Sequence, residues 1–144
     1  MATFYTYAKF IQSIMDEEID WEADTIKLAL TTSSYTPDQD THDYFDDVTN
    51  EVSGTGYTAG GATLTSKTIA NTENVTKVDA ADVTWSSSTI TARICVLYMD
   101  TGTASTSPLI GYCNFGEDKS SENGNFTVQF DSDGIFTFTN DNAV

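Results

Sequence analysis

Apolar and polar residues alternate through much of the chain. The densest apolar run, DVTWSSSTITARICVLYMDTGTASTSPLIGYCNFG over 82–116, reads as strands facing each other across a polar loop. A short strand over Asp82 to Trp85 is followed by a long one over Thr89 to Met99. In the long one Ile90, Ala92, Ile94, Val96 and Tyr98 fall on one face, while Cys95, Leu97 and Met99 make the second half apolar on the other face too. A strand apolar on both faces is covered on both, so this one is expected at the centre of a sheet. Pro108 opens the partner strand, where a missing N–H costs little.

The same pattern places the other elements around this hairpin. Tyr7, Phe10, Ile11, Ile14 and Met15 follow helical spacing, with Thr6 as N-cap and the acids Asp16, Glu17, Glu18 and Asp20 ending the helix. Ile26, Leu28 and Leu30 alternate with Lys27, Ala29 and Thr31 in a half-buried strand. The acidic HDYFDD segment (42–47) reads as an irregular excursion or one helical turn. Gly54, Gly56, Gly60 and Gly61 crowd a loop that requires special φ values or close backbone approach. A strand over Ala62 to Asn71 turns at Thr72-Glu73-Asn74 into a returning strand over Val75 to Ala80. GEDKSSENG (116–124) reads as a polar turn, and Asn125 to Phe130 with Ile135 to Thr139 as a last hairpin.

These elements predict a mainly β protein, an antiparallel β-sandwich or barrel of about seven to eight strands with a short N-terminal helix. A chain of 144 residues fits a single domain over 1–144, with the helix inside 1–20 and the β-domain over 25–139. Thr is the commonest residue, which favours strands.

Charge narrows the possible partners. Against 22 acids stand 6 basic residues, a formal charge of −16. Such a chain repels phosphate backbones and anionic lipid, so neither direct nucleic-acid nor membrane binding is expected. No secretion signal or spanning segment is legible, which predicts a protein kept, at least at first, in a cytoplasm. Pairing of the long hairpin places Cys95 close to Cys113. A direct cross-strand disulfide is strained, and both are read as small core hydrophobes.

No catalytic constellation emerges. His42 has acidic neighbours but no nucleophile turn, and reads as a surface histidine in an acidic loop. Asp38/Asp40, Asp46/Asp47 and Asp131/Asp133 fall short of a calcium loop, and DSDG reads as a turn. GTGYTAGG lacks the lysine and following helix of a phosphate loop. The reading is a non-enzyme with no cofactor and no metal. Trp21, Tyr35 and Tyr57 are either exposed aromatics able to stack on sugars or core and interface residues.

Four pieces, TIKLALTTSSYTP (25–37), NEVSGTGYTAGGATLT (50–65), DVTWSSSTITARICVLYMD (82–100) and PLIGYCNFGEDKSSENGNFTVQF (108–130), taken in order with Thr-rich linkers, resemble small virion proteins of tailed bacteriophages. These are described as capsid decoration (cement) or minor head structural proteins. The resemblance implies a virion protein on the outer capsid surface, assembled in the host cytoplasm and bound to the major capsid protein. It also implies self-association as a trimer or other symmetric oligomer, and leaves a tail, neck or fibre-associated protein touching host glycans as the alternative. The candidate interface comprises Tyr7, Phe10, Ile14, Leu97, Met99 and Leu109. Whether these apolar side chains meet another subunit or pack within the chain stays open.

Overall fold

The computed structural model describes residues 2–141 and is mainly β, with two antiparallel sheets and one short helix. The larger sheet has the order β1-β7-β6-β2-β3, built from β1 (Tyr5–Thr6), β2 (Ile26–Thr31), β3 (Ala62–Thr63), β6 (Val83–Met99) and β7 (Leu109–Val128). The smaller has the order β4-β5-β8, built from β4 (Thr68–Thr72), β5 (Val75–Asp79) and β8 (Phe136–Thr139). Neither closes into a barrel, and the architecture is consistent with a sandwich.

As its apolar content predicts, β6 is central, between β7 and β2. Its faces serve two cores. Leu28, Leu30, Cys95, Leu97 and Ile110 join Val78 and Phe136 of the smaller sheet in the main core. Tyr7, Ala29, Tyr35, Ile94, Val96, Tyr98 and Leu109 form a second one on the opposite face. The segment after β2 covers that second face: its 3-10 turn (Phe45–Asp47) stacks Phe45 on Tyr98, ring centroids 3.9 Å apart. β2 is therefore buried on both faces, Ala29 and Thr31 included, where alternation predicts half-burial.

The expected single face of β6 does not survive. Ile90 and Ala92 lie in the main core with Cys95 and Leu97, whereas Ile94, Val96 and Tyr98 lie in the second. A register irregularity between Ala92 and Ile94 exchanges the two faces, as a bulge does to a period-2 pattern. Val83 to Met99 is also one strand, not two; irregularities flanking Ser88, with Ser87 at φ 50°, absorb the polar SSS stretch.

The polar 116–124 segment is not a turn but the middle of β7. Hydroxyls substitute for apolar contacts there: Ser88 Oγ lies 2.7 Å from Ser121 Oγ and donates to Gly124 O at 3.0 Å, and Thr91 Oγ1 lies 2.7 Å from Ser120 Oγ. The expected last hairpin is also corrected. Phe126 and Val128 pair with Trp85 and Val83, and after a crossing at Asp131 to Gly134 the chain places β8 against β5 in the other sheet. The expected strand over 62–71 likewise divides between sheets, breaking at Ser66, which sits at φ 53°.

The N-terminal helix α1 (Phe10–Met15) is shorter than its apolar spacing predicts. Thr6 is not its cap: it pairs in β1, Tyr7 N–H reaches Ile110 O at 3.1 Å, and Lys9 holds the cap position without a side-chain bond. Pinning Tyr7 to the sheet sets the helix rotation. Phe10 and Ser13 then face inward, and Phe10 packs on Phe136 and Phe138 at centroid distances of 5.8 and 6.5 Å. The helix ends at Met15 with Asp16 as C-cap; Glu17 then turns the chain at φ 59°, and Glu18 N–H returns to Ser13 O.

Candidate interaction surface

The rotation that buries Phe10 leaves the other apolar positions of α1 in solvent. Ile11, Ile14 and Met15 are 41, 42 and 78 % exposed, on a helix of six residues. Burying such side chains is worth about 1.5–3 kcal/mol each, so a cluster left outside marks a contact surface more often than a scattered single residue does.

Acid follows this cluster along the chain. Asp16, Glu17 and Glu18 follow Met15 directly, and Asp20, Glu22 and Asp24 come within the next six residues. Asp16 accepts a bond from Gln12 Nε2 at 3.2 Å, which holds its carboxylate beside the helix. Asp20 Oδ1 accepts from the backbone of Glu22 and Ala23, and Asp24 Oδ2 from Asp20 N–H, so the acidic segment is an ordered turn. Lys67 is bonded to the backbone oxygen of Asp24, and at the start of the helix stands Lys9. Its ammonium lies 3.9 Å from the centroid of the Tyr44 ring and is bonded to the Tyr44 hydroxyl, which holds its pKa above the usual lysine value. Tyr44 in turn reaches Glu18 Oε1 at 3.4 Å.

Of the six candidate interface residues, Ile14 alone belongs to this exposed cluster. Tyr7, Phe10, Leu97 and Leu109 are buried within the chain, Leu97 in the main core and Leu109 in the second. Met99 is partly buried against the main core. The apolar excess on the second half of β6 is thus covered internally, by the 35–48 segment on one face and the smaller sheet on the other. Ile11 and Met15, which share the apolar helix face with Ile14, are exposed as well; the acid run that follows them is the signal that leaves that end of the helix wet.

Other residues singled out from sequence have structural partners. His42 is half-buried: its Nδ1 accepts from Asp38 N–H at 3.2 Å and lies 3.0 Å from the Tyr35 hydroxyl. Trp21 and Tyr35 are buried, and Tyr57 is half-buried with its hydroxyl donating to Glu51 Oε1 at 2.6 Å; these aromatics offer no open stacking platform. The glycine loop is explained by backbone geometry: Gly56, Gly60 and Gly61 have positive φ, and a Cβ on Gly54 would lie 2.5 Å from Thr89 O. Among the described residues, no group of three His, Cys, Asp or Glu side chains is placed to hold a metal ion. Asp38 Oδ1 instead closes its own turn by accepting from Asp40 and Thr41, and Asp131 Oδ1 accepts from Asp133.

A shallow groove of about 540 Å³ runs along β7 past Cys113, Lys119 and Asn125. It has one cation and no convergent set of titratable groups, which gives it no evident chemistry. No helix among the described residues is long and apolar enough to cross a membrane. No family model, curated protein or solved structure matches the chain.

Proposed function

We propose that this protein is a non-enzymatic structural component of a tailed-bacteriophage virion that decorates the capsid by binding the lattice of the major capsid protein. The resemblance of the four segments over 25–130 supports the virion assignment. The observation that carries an attachment role is the apolar edge of α1, Ile11, Ile14 and Met15, held in solvent by a helix whose inner side is fixed to the core. Attachment to a shell through such an edge needs no chemistry, only a receiving surface. Assembly takes place in the host cytoplasm and the protein ends on the outer capsid surface, where its acidity keeps it from packaged DNA.

The experiment is to add the purified chain to capsids lacking it and to count bound copies by quantitative mass spectrometry. Hundreds of copies per particle, with a gain in resistance to heat, are expected. A few copies at one vertex, or binding to tails alone, overturns the decoration reading in favour of a tail or neck component.

A further inference from the structure

We infer that the α1 surface receives an apolar patch rimmed by lysine or arginine on a different protein, and that it is not the contact between copies of this chain. The inference rests on the attachment role given to α1, but not on the identity of the particle. The apolar part supplies the reason for contact: Met15 is 78 % exposed and stands with Ile11 and Ile14 on the same short helix. The charged part decides the partner. Asp16 and Glu17 are exposed and Glu18 half-exposed at the end of that helix, and the Asp20–Asp24 turn continues the acid. Two cations stand beside the acids, Lys9 on the Tyr44 ring toward Glu18 and Lys67 on the backbone oxygen of Asp24, and among the described residues neither forms an ion pair with Asp16 or Glu17.

Two copies meeting through this surface would bring two acidic surfaces together and desolvate the exposed Asp16 and Glu17 of both, which opposes self-pairing. A basic rim turns the same desolvation into complementary pairs and speeds association at low salt. A neutral apolar partner leaves the acids unpaired. The receiving surface is therefore basic around an apolar centre.

The probes are three synthetic peptides, one amphipathic with leucine and lysine, one with leucine and glutamate, and one with lysine and serine only. Binding to the full chain is read by fluorescence anisotropy, and self-association by sedimentation. The leucine–lysine peptide is expected to bind tightest and to weaken as salt rises. Met15→Asp is the deciding variant, because it adds negative charge while deleting apolar surface at a side chain that packs little. It should weaken that peptide by about tenfold. Asp16→Asn with Glu17→Gln should weaken it several-fold at low salt and less at high salt. Unchanged or tighter binding by Met15→Asp would mean that bulk charge alone attracts the peptide, and would overturn the inference. So would a wild-type oligomer that Met15→Asp dissolves.

Capsid binding with no peptide preference and no response to these variants would remove this inference and leave the decoration reading standing. The expected peptide pattern without capsid binding would do the reverse.

Discussion

The hydroxyls of Tyr7 and Tyr35 meet at 2.9 Å inside the second core, although 28 residues separate them in sequence. Tyr35 continues the chain to His42 Nδ1, which already accepts from Asp38 N–H. With Nδ1 as acceptor, Tyr35 donates to the histidine and Tyr7 donates to Tyr35. One line of donors thus ties the strand before α1 to the segment that roofs the second core. Tyr7→Phe removes one donor and should lower stability by about 1 kcal/mol; Tyr35→Phe interrupts two bonds and should cost about 2 kcal/mol. Urea unfolding checks the order, and equal midpoints for both variants and wild type would mean the line carries no stability.

The same tyrosines set an alkaline limit. Burial pushes the pKa values of Tyr7, Tyr35 and Tyr98 above the ordinary tyrosine value of 10.0. The folded state therefore keeps protons that the unfolded state loses, so stability is complete below about pH 10 and falls above it. Each group contributes a slope of up to about 1.4 kcal/mol per pH unit. Tyrosinate absorbance should appear together with loss of β circular dichroism; ionisation of these residues well before unfolding would contradict their burial.

Lys27 and Asp100 form a partly buried ion pair at 2.7 Å that joins β2 to the end of β6. The ammonium of Lys27 holds the Asp100 carboxyl below its ordinary value of 3.8. A lowered pKa gives stability that is present above the unfolded value and lost as pH falls through the folded one. The pair sits about a quarter exposed, so Asp100→Asn should cost about 1 kcal/mol or less at neutral pH. The difference from wild type should vanish on acidification below the ordinary aspartate range, as measured by unfolding at successive pH values.

Two glycines with similar φ give a matched comparison. At Gly61, φ +78°, an added Cβ would lie 1.9 Å from Leu28 O; at Gly102, φ +88°, nothing lies within 4 Å. Gly102→Ala should cost about 1 kcal/mol for backbone conformation alone. Gly61→Ala must also move β2 and should cost more than about 3 kcal/mol. Thermal unfolding of the two variants checks this, and similar losses would place the Gly61 loop farther from β2.

Cys95 and Cys113 are free, buried and directly opposed across β6 and β7. Asp100 N–H bonds to Thr25 O, which fixes the alternation along β6 and directs the backbone of Cys95 toward β7. The pair is therefore a hydrogen-bonded one, whose side chains stand farther apart than in a non-hydrogen-bonded pair, which disfavours the short Cβ–Cβ separation that a disulfide needs. Burial pushes the Cys95 thiol up, whereas the hydrogen bond from Cys95 lowers the Cys113 thiol, so it is the burial of both sulfurs that shields the pair from oxidants. Oxidised glutathione should leave both thiols reduced in the folded protein, and mass spectrometry showing an intact-fold disulfide would overturn this.

Much of the strand inventory was legible because apolar period reports burial. The β2 strand, the Glu73-Asn74 turn and the central place of β6 all follow from it, and the glycine loop follows from what glycine alone permits. Period does not report pairing. The middle of β7 is held by serine and threonine hydroxyls and carries no apolar signal, so 116–124 reads as a turn. The 131–134 stretch has turn residues whether the chain folds back in one sheet or crosses to the other.

The candidate surface divides in the same way. Sequence by itself determined that apolar side chains cluster near residues 7–15 beside a dense acidic run, and that β6 carries more apolar surface than one face can use. Which of those side chains reach solvent was decided in three dimensions. Pairing of Tyr5 and Thr6 with β7 fixes the rotation of α1, and the exchange of faces near Arg93 places Leu97 inside. A contact between residues 6 and 111 lies beyond any local pattern, and a single bulge reverses every side chain after it.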